Sequence, residues 1–148
     1  ADPRTSGLGS WRTPVGISFE DQADQLADTA CAADSAGERV STLIVHDPNL
    51  GKPALDRGCV DLSLSGHLHL QVGPDAVTGD NGKVGVRYTN GTTGGAAYAV
   101  ALGTKLRRDA QVTLITYRDG KAIGLQPVTI EVSGDLKVAP YSTLPGLG

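Results

Sequence analysis

The sequence predicts an α/β (α+β) fold in which a parallel strand pair with one or two helices is followed by antiparallel strands. Three observations predict it: an amphipathic stripe of helical period, two short β-branched and aliphatic runs after it, and a second half of alternating runs separated by Asn-Gly and Asp-Gly pairs. At 148 residues, the chain is long enough to bury a core as a single domain, or as the C-terminal portion of a larger one.

The first helix is predicted to begin after Ser18. Residues 1–17 read as irregular, with Trp11 as their anchor. Ser18 is a predicted N-cap, and Asp21 follows it three residues later to oppose the exposed backbone amides. The apolar positions that follow form one helical face, which ends at Cys31: Phe19, Ala23, Leu26, Ala27, Ala30 and Cys31.

Two apolar runs, residues 40–45 and 60–65, are predicted as strands covered on both faces. The triplet Asp47-Pro48-Asn49 ends the first run. Residues 54–58 have room for a short helix with a glycine stop at Gly58. Strand, short helix and strand predict a parallel pair with a right-handed crossover.

The second half is predicted to be antiparallel from Leu70 onward, with little helix. Asn81-Gly82 and Asp119-Gly120 separate alternating runs and are hairpin signals, while Gly134-Asp135 is a further predicted turn. The tail, residues 145–148, is predicted to fray. The predicted strands are residues 76–78, 84–88, 112–117, 122–125, 128–132 and 137–139.

Composition excludes several classes of protein. A net charge of −3 disfavours nucleic acid as a partner, and no run approaches the roughly 18 apolar residues that a membrane span needs. Cys31 and Cys59 are either two small buried thiols or a disulfide. A disulfide would favour an extracytoplasmic location, in the cell envelope or secreted, and a start without Met is typical of a processed or truncated product.

All three histidines of the chain follow the two apolar runs. His46 closes the first, and Gly66-His67-Leu68-His69 follows the second. Ligands gather beyond the carboxyl ends of parallel strands, and neutral imidazole is a frequent metal ligand. In an extended strand His67 and His69 would share one face, about 7 Å apart. In a turn they would splay around one or two ions, with Gly66 allowing the bend.

The region 42–73 resembles the calcineurin-like metallophosphoesterases. Two stretches carry the resemblance, Leu43-Ile44-Val45-His46-Asp47-Pro48 and Leu64-Ser65-Gly66-His67-Leu68-His69, which match the last two signature blocks of that family. Residues 90–95 also resemble the small-residue stretch that these enzymes carry after the signature. The resemblance covers most of the chain and implies the C-terminal half of a metallophosphoesterase-like β-sandwich.

The resemblance implies a hydrolase, a phosphatase or phosphodiesterase that cleaves phosphomonoesters or phosphodiesters by a metal-bound hydroxide. His46 and His67 would bind one ion of a dinuclear metal centre, and His69 the other. The implied cofactors are two divalent transition metal ions, Mn, Fe, Zn or Ni. The implied partners are a phosphate-ester substrate and an N-terminal half of the same protein.

The sequence departs from the family at its first blocks. Asp-x-His, Gly-Asp-x-x-Asp and Gly-Asn-His-Asp/Glu are absent from these residues, and with them the bridging carboxylate. Two alternatives therefore stay open: three imidazoles that hold one zinc-like ion, or a non-catalytic phosphoesterase-like binding or structural module.

Two further stretches have two interpretations each. Asp47 and Asn49 would hydrogen-bond ligand imidazoles, or form only a turn. Residues 90–95 would bring backbone amides to a phosphate, or allow a turn or close strand packing.

Overall fold

A computed structural model of the chain describes residues 5–6, 13–14, 16–94 and 108–144. Helices occur together with parallel and antiparallel strands, so the predicted α+β class is confirmed. The elements are β1 (Thr5–Ser6), β2 (Thr13–Pro14), α1 (Phe19–Ser35), β3 (Val40–Ile44), α2 (Pro48–Asp56), β4 (Val60–Ser65), β5 (Val72–Thr78), β6 (Val84–Thr89), β7 (Ala110–Arg118), β8 (Lys121–Ile130), β9 (Leu136–Val138) and β10 (Ser142–Thr143).

The first sheet has the strand order β3-β4-β6-β5. The predicted parallel pair of β3 and β4 is confirmed, and so is the hairpin at Asn81-Gly82 between β5 and β6. The expectation that every strand after Leu70 is antiparallel is wrong, because β6 runs parallel to β4. A hairpin fixes only the pairing of its own two strands. Here the chain crosses to the outer edge as β5 and returns as β6 beside β4.

The second sheet is antiparallel and is built on the predicted β7–β8 hairpin at Asp119-Gly120. The predicted strands 122–125 and 128–132 are one continuous strand, β8, which ends at Ile130; Pro127, between the two predicted strands, keeps its place in the ladder opposite Thr113 of β7. β9 pairs with the far end of β8 after the predicted turn at Gly134-Asp135. The short strand β10, which also pairs with β8, was not predicted.

The two sheets pack face to face, and the helices cover the other face of the first sheet. Strand β4 is covered on both faces, as predicted. Strand β3 is not: it is an edge strand of its sheet, and its Ile44 is 71% exposed. Between the sheets lie Leu62, Val86, Tyr88, Ala122, Leu125 and Leu144. On the other face, the helices contribute buried side chains to the core: Ala23, Ala27, Ala30, Leu50, Ala54 and Leu55.

Both helix starts are fixed by side-chain caps. The Ser18 cap is confirmed, since its hydroxyl accepts a hydrogen bond from the Asp21 amide at 3.0 Å. The second helix begins at Pro48 and not within residues 54–58, because Asp47 accepts from the Asn49 amide at 2.9 Å and proline suits the first turn of a helix. The glycine stop at Gly58 is confirmed by its left-handed φ of 73°.

The first helix extends beyond its predicted end at Cys31 and reaches Ser35. Alanine is the strongest helix former, and two alanines follow Cys31, so the helix continues without a further apolar position. The expectation that residues 1–17 are irregular is also wrong in part. Strands β1 and β2 pair there as a short antiparallel ladder, with threonine, a good strand former, in each. Trp11 and the predicted fraying tail lie outside the described residues.

A disulfide joins Cys31 to Cys59, with 4.9 Å between their α-carbons. Of the two interpretations, the disulfide is therefore the one observed. It ties α1 to the residue before β4. Such bonds persist in oxidising compartments, which agrees with the predicted extracytoplasmic location; the location itself stays a prediction. Across the described ranges, neither helix combines the length and apolar character needed to cross a bilayer, in agreement with the absence of a predicted span.

Asp34, near the end of α1, makes an acid-sensitive contact. Lys83 donates to its two carboxylate oxygens at 2.8 and 3.0 Å. These hydrogen bonds lower the pKa of Asp34 from its ordinary 3.8, against the opposing effect of burial, and Arg39 lowers the pKa further. A carboxyl group with a lowered pKa stabilises the folded state above its unfolded pKa, and this contribution is lost as the pH falls through the folded pKa.

We therefore expect the free energy of unfolding to decrease as the pH falls below about 4. The variant Lys83→Met should show a weaker dependence on pH in this range. Urea unfolding at a series of pH values measures both. Lys52→Met is the matched control, because the partner of Lys52 is the exposed Asp56 on the same helix. An unchanged pH dependence in Lys83→Met would contradict a contribution of the Asp34–Lys83 contact to stability.

Candidate metal site

The parallel strands bring His46 and the bend at residues 67–70 to the same edge of the first sheet. His46 follows β3, and the bend follows β4. The ladder of hydrogen bonds continues past both strand ends, because the Val45 amide donates to the Leu64 carbonyl at 2.9 Å and the Gly66 amide donates to the His46 carbonyl at 3.1 Å. These two bonds hold the backbones that carry the histidines side by side.

The imidazoles of His46 and His67 are in direct contact. The Nδ1 of His67 lies 3.0 Å from the Nε2 of His46, and the ring planes cross at 77°. As they stand, one ring donates a hydrogen bond and the other accepts it. Two nitrogens bound to one tetrahedral zinc-like ion at about 2.0–2.1 Å lie about 3.3 Å apart. A small shift of either ring would therefore give this pair the spacing of two ligands on one ion.

The bend itself is made by the histidines. His67 has a φ of 65° and His69 a φ of 54°, both in the left-handed region that residues other than glycine seldom adopt. Such conformations cluster at functional sites. The alternative of an extended strand with both side chains on one face is wrong, because β4 ends at Ser65. The predicted role of Gly66 in the bend is also wrong, since its φ lies outside the left-handed region.

The structure places His69 against a separate feature, a cavity of about 460 Å³ that is also lined by Gln71 and Arg108. Within the described part of the chain, no group of three or more His, Cys, Asp or Glu side chains is arranged to hold a metal ion. His46 and His67 together supply two ligands, and a closed site needs more. The assignment of His46, His67 and His69 as metal ligands therefore stays a prediction.

The residues beside the histidine pair have structural partners. Asp47 is buried, and one oxygen of its carboxylate accepts hydrogen bonds from the amide and the side chain of Asn49. These hydrogen bonds are local: Asp47-Pro48-Asn49 forms the cap and the beginning of α2. In the glycine-rich stretch, which is described as far as Gly94, the Gly91 amide donates to the Gln111 side chain at 2.8 Å. A β-carbon at residue 91 would lie 2.6 Å from that oxygen, so close packing explains this glycine.

Two amide side chains near His69 were not predictable from the sequence. Gln111 donates from Nε2 to Oε1 of Gln71 at 2.6 Å, and both side chains line the cavity that His69 lines. Isolated glutamines 40 positions apart form no motif. Gln71 directly precedes β5 of the first sheet and Gln111 lies in β7 of the second, so the packing of the two sheets brings them together.

Comparison with known proteins adds no relative. No family model matches the sequence, and no curated protein matches it. The resemblance to the metallophosphoesterases therefore depends on the residues of the two histidine motifs and the small-residue stretch after them.

Proposed function

We propose that this chain contributes histidine ligands to the metal centre of a phosphoesterase that hydrolyses phosphomonoesters or phosphodiesters. The observation that carries the proposal is the 3.0 Å contact between the His46 and His67 ring nitrogens at the carboxyl ends of adjacent parallel strands. Two imidazoles that follow separate strands meet there, and His67 of this pair and the nearby His69 both have left-handed backbones, a conformation that clusters at functional sites.

The proposed roles follow the positions of the side chains. His46 and His67, whose rings are in contact, hold one ion, and His69, which lines the neighbouring cavity, holds a second. The remaining ligands, including a bridging carboxylate, come from a part of the protein outside these 148 residues. Divalent ions at such a centre polarise the phosphoryl oxygens, lower the pKa of a bound water and offset charge in the transition state.

Hydrogen bonds within the chain hold the backbone around the histidine site in place. The cap of α2 by Asp47 and the hydrogen bond from the Gly66 amide to the His46 carbonyl fix the backbone on both sides of the site. Fixed ligands lose less conformational freedom when an ion binds, which favours binding.

Metal binding tests the proposal directly. We expect the chelator-treated chain to bind Zn²⁺ or Mn²⁺ in calorimetric titration, and His46→Ala or His67→Ala to lower the affinity at least about tenfold, since even the partners of ligands have effects of that size. Leu68→Ala is the matched control: it alters the same bend at an exposed side chain that is no ligand. Thermal unfolding of each variant checks that the fold is retained.

Activity is measured on the protein translated from the complete reading frame. We expect hydrolysis of nitrophenyl phosphate to be abolished by a chelator, restored by added metal, and lost in His67→Ala but not in Leu68→Ala. Activity that survives both metal removal and His67→Ala would exclude the proposal. Metal affinity that is equal in wild type, His46→Ala and His67→Ala would exclude it as well.

A further inference from the structure

A cavity of about 460 Å³ opens beside His69, and neither His46 nor His67 is among the described residues that line it. Its walls come from the bend after β4, the loop after β6, the beginning of β7 and one residue of β8. Small-molecule sites typically have volumes of about 300–1,000 Å³. The cavity is therefore large enough for a ligand well beyond the size of a phosphate ion.

Gln71 and Gln111 form a polar floor in the cavity, and hydrogen bonds hold their side chains in place. The Gln111 side chain donates to Gln71 at 2.6 Å and accepts from the Gly91 amide at 2.8 Å, while its own backbone amide donates to the Thr92 carbonyl at 2.9 Å. Both ends of the Gln111 amide are thus fixed. A fixed polar floor is preorganised for a ligand, because it does not have to be ordered when the ligand binds.

Among the described residues that line the cavity, the positive charge of Arg108 is offset by the negative charge of the adjacent Asp109. Leu70, 63% exposed, adds an apolar surface at its edge. A site of this kind suits an uncharged group with a ring that covers apolar surface and an edge that forms hydrogen bonds. It does not suit a dianionic phosphate, which requires an excess of cations or metal ions.

The glutamine amides determine the chemistry of that edge. Each side-chain amide nitrogen carries two protons, and one proton of each is used, by Gln111 on Gln71 and by Gln71 on the Gly73 carbonyl at 3.4 Å. Within the part of the chain that the structure describes, the second N–H of each amide has no hydrogen-bond acceptor, so it can donate to a ligand. Glutamine amides form this kind of contact with the acceptor and donor edges of nucleobases.

We infer that this cavity binds the leaving group of the ester, and that this group is a nucleoside. The inference rests on the proposed function, in which His69 holds one of the two ions that bind the phosphate. Hydrolysis then breaks the bond between phosphorus and the nucleoside oxygen. The oxygen of water adds to phosphorus, and a proton from that water goes to the nucleoside oxygen.

Binding of adenosine and uridine tests the cavity without any need for catalysis. We expect both probes to shift the side-chain amide signals of Gln71 and Gln111 in NMR titrations of the chain. Gln71→Leu should weaken binding about tenfold, the effect of losing one hydrogen bond in a site built to form it. Gln25→Leu, the same change on the exposed face of α1, should have no effect. Unshifted amide signals, or unchanged affinity in Gln71→Leu, would overturn the inference.

Kinetics separate this inference from the proposed function. In the metal-loaded protein from the complete reading frame, Gln71→Leu should raise KM about tenfold for a nucleoside monophosphate and leave KM for nitrophenyl phosphate unchanged. If no ester is hydrolysed but nucleosides bind in a manner that depends on Gln71, the proposed function fails and the cavity assignment stands. If both esters are hydrolysed and Gln71→Leu affects neither, the cavity assignment fails and the proposed function stands.

Discussion

Removal of the Cys31–Cys59 disulfide is expected to lower the free energy of unfolding by about 3.5 kcal/mol, the loop-closure value for a separation of 28 residues. The bond closes a loop that contains the end of α1 from Cys31 to Ser35, then β3 and α2. In the unfolded chain it removes the conformational freedom of that loop, so its loss favours the unfolded state.

The lean core increases the importance of this bond. The cluster around Cys59 consists largely of small side chains, with three alanines among its buried members: Ala27, Ala30, Ala54, Leu55, Cys59 and Val60. Burial of an alanine removes far less apolar surface from water than burial of a leucine or phenylalanine. A covalent link between α1 and the start of β4 therefore supplies stability that this packing alone does not.

The measurement is urea unfolding of the double variant Cys31→Ala/Cys59→Ala against the oxidised wild type, with midpoint and slope fitted separately. Reductant should destabilise the wild type by a similar amount and leave the double variant unchanged, which makes that variant the control for the reductant. A loss below about 1 kcal/mol in both comparisons would contradict a structural role for the bond.

Local signals in the sequence predicted the helix start and the hairpins, since each depends on a few neighbouring residues. Ser18 caps α1, and Asn81-Gly82 and Asp119-Gly120 form turns, as expected. The position of β6 beside β4 was not predictable in this way, because it depends on which strands meet across the sheet. The start of α2 was present in the sequence as Asp47 followed by Pro48, a capping signal that also suits a turn.

The candidate site was predictable to a similar extent. The meeting of His46 and His67 follows from the rule that parallel strands end at the same edge of a sheet. The left-handed conformations of His67 and His69 do not follow from any residue pattern, because this region is uncommon for residues other than glycine and is imposed by the surrounding structure. The cavity beside His69 also requires the second sheet, whose residues Gln111 and Thr129 form part of its wall.

Arg39→Ala is expected to be about as destabilising as loss of the disulfide, at about 3–5 kcal/mol, the range for removing one partner of a buried ion pair. Arg39 is the residue before β3, and its guanidinium lies at the amino ends of β3 and β4. It donates from Nε to the buried carboxylate of Asp61, and its Nη atoms donate to the carbonyls of Gly58 and Val60 at 2.7 and 3.2 Å. Truncation leaves the Asp61 carboxylate buried without this partner, and that carries a large desolvation cost.

Arg57→Ala is the matched control. Arg57 binds two carboxylates, but these belong to Asp24 and Asp28, whose side chains are 60% and 71% exposed, so the change should cost no more than about 1 kcal/mol. A double-mutant cycle with Asp61→Leu isolates the pair: if the buried charge is the cause, Arg39→Met/Asp61→Leu should recover most of the loss in Arg39→Met. Equal effects of Arg39→Ala and Arg57→Ala in urea unfolding would contradict the argument.

Arg39→Ala also separates an effect on stability from an effect on metal binding. Arg39 lies at the amino ends of the parallel strands, whereas His46 and His67 follow their carboxyl ends. If the fold survives in Arg39→Ala under native conditions, its affinity for Zn²⁺ should equal that of the wild type, while His67→Ala should lose affinity with little change in stability. A parallel loss of affinity and stability in both variants would mean that metal binding reports only on folding, and would remove the support that metal titration gives to the histidine site.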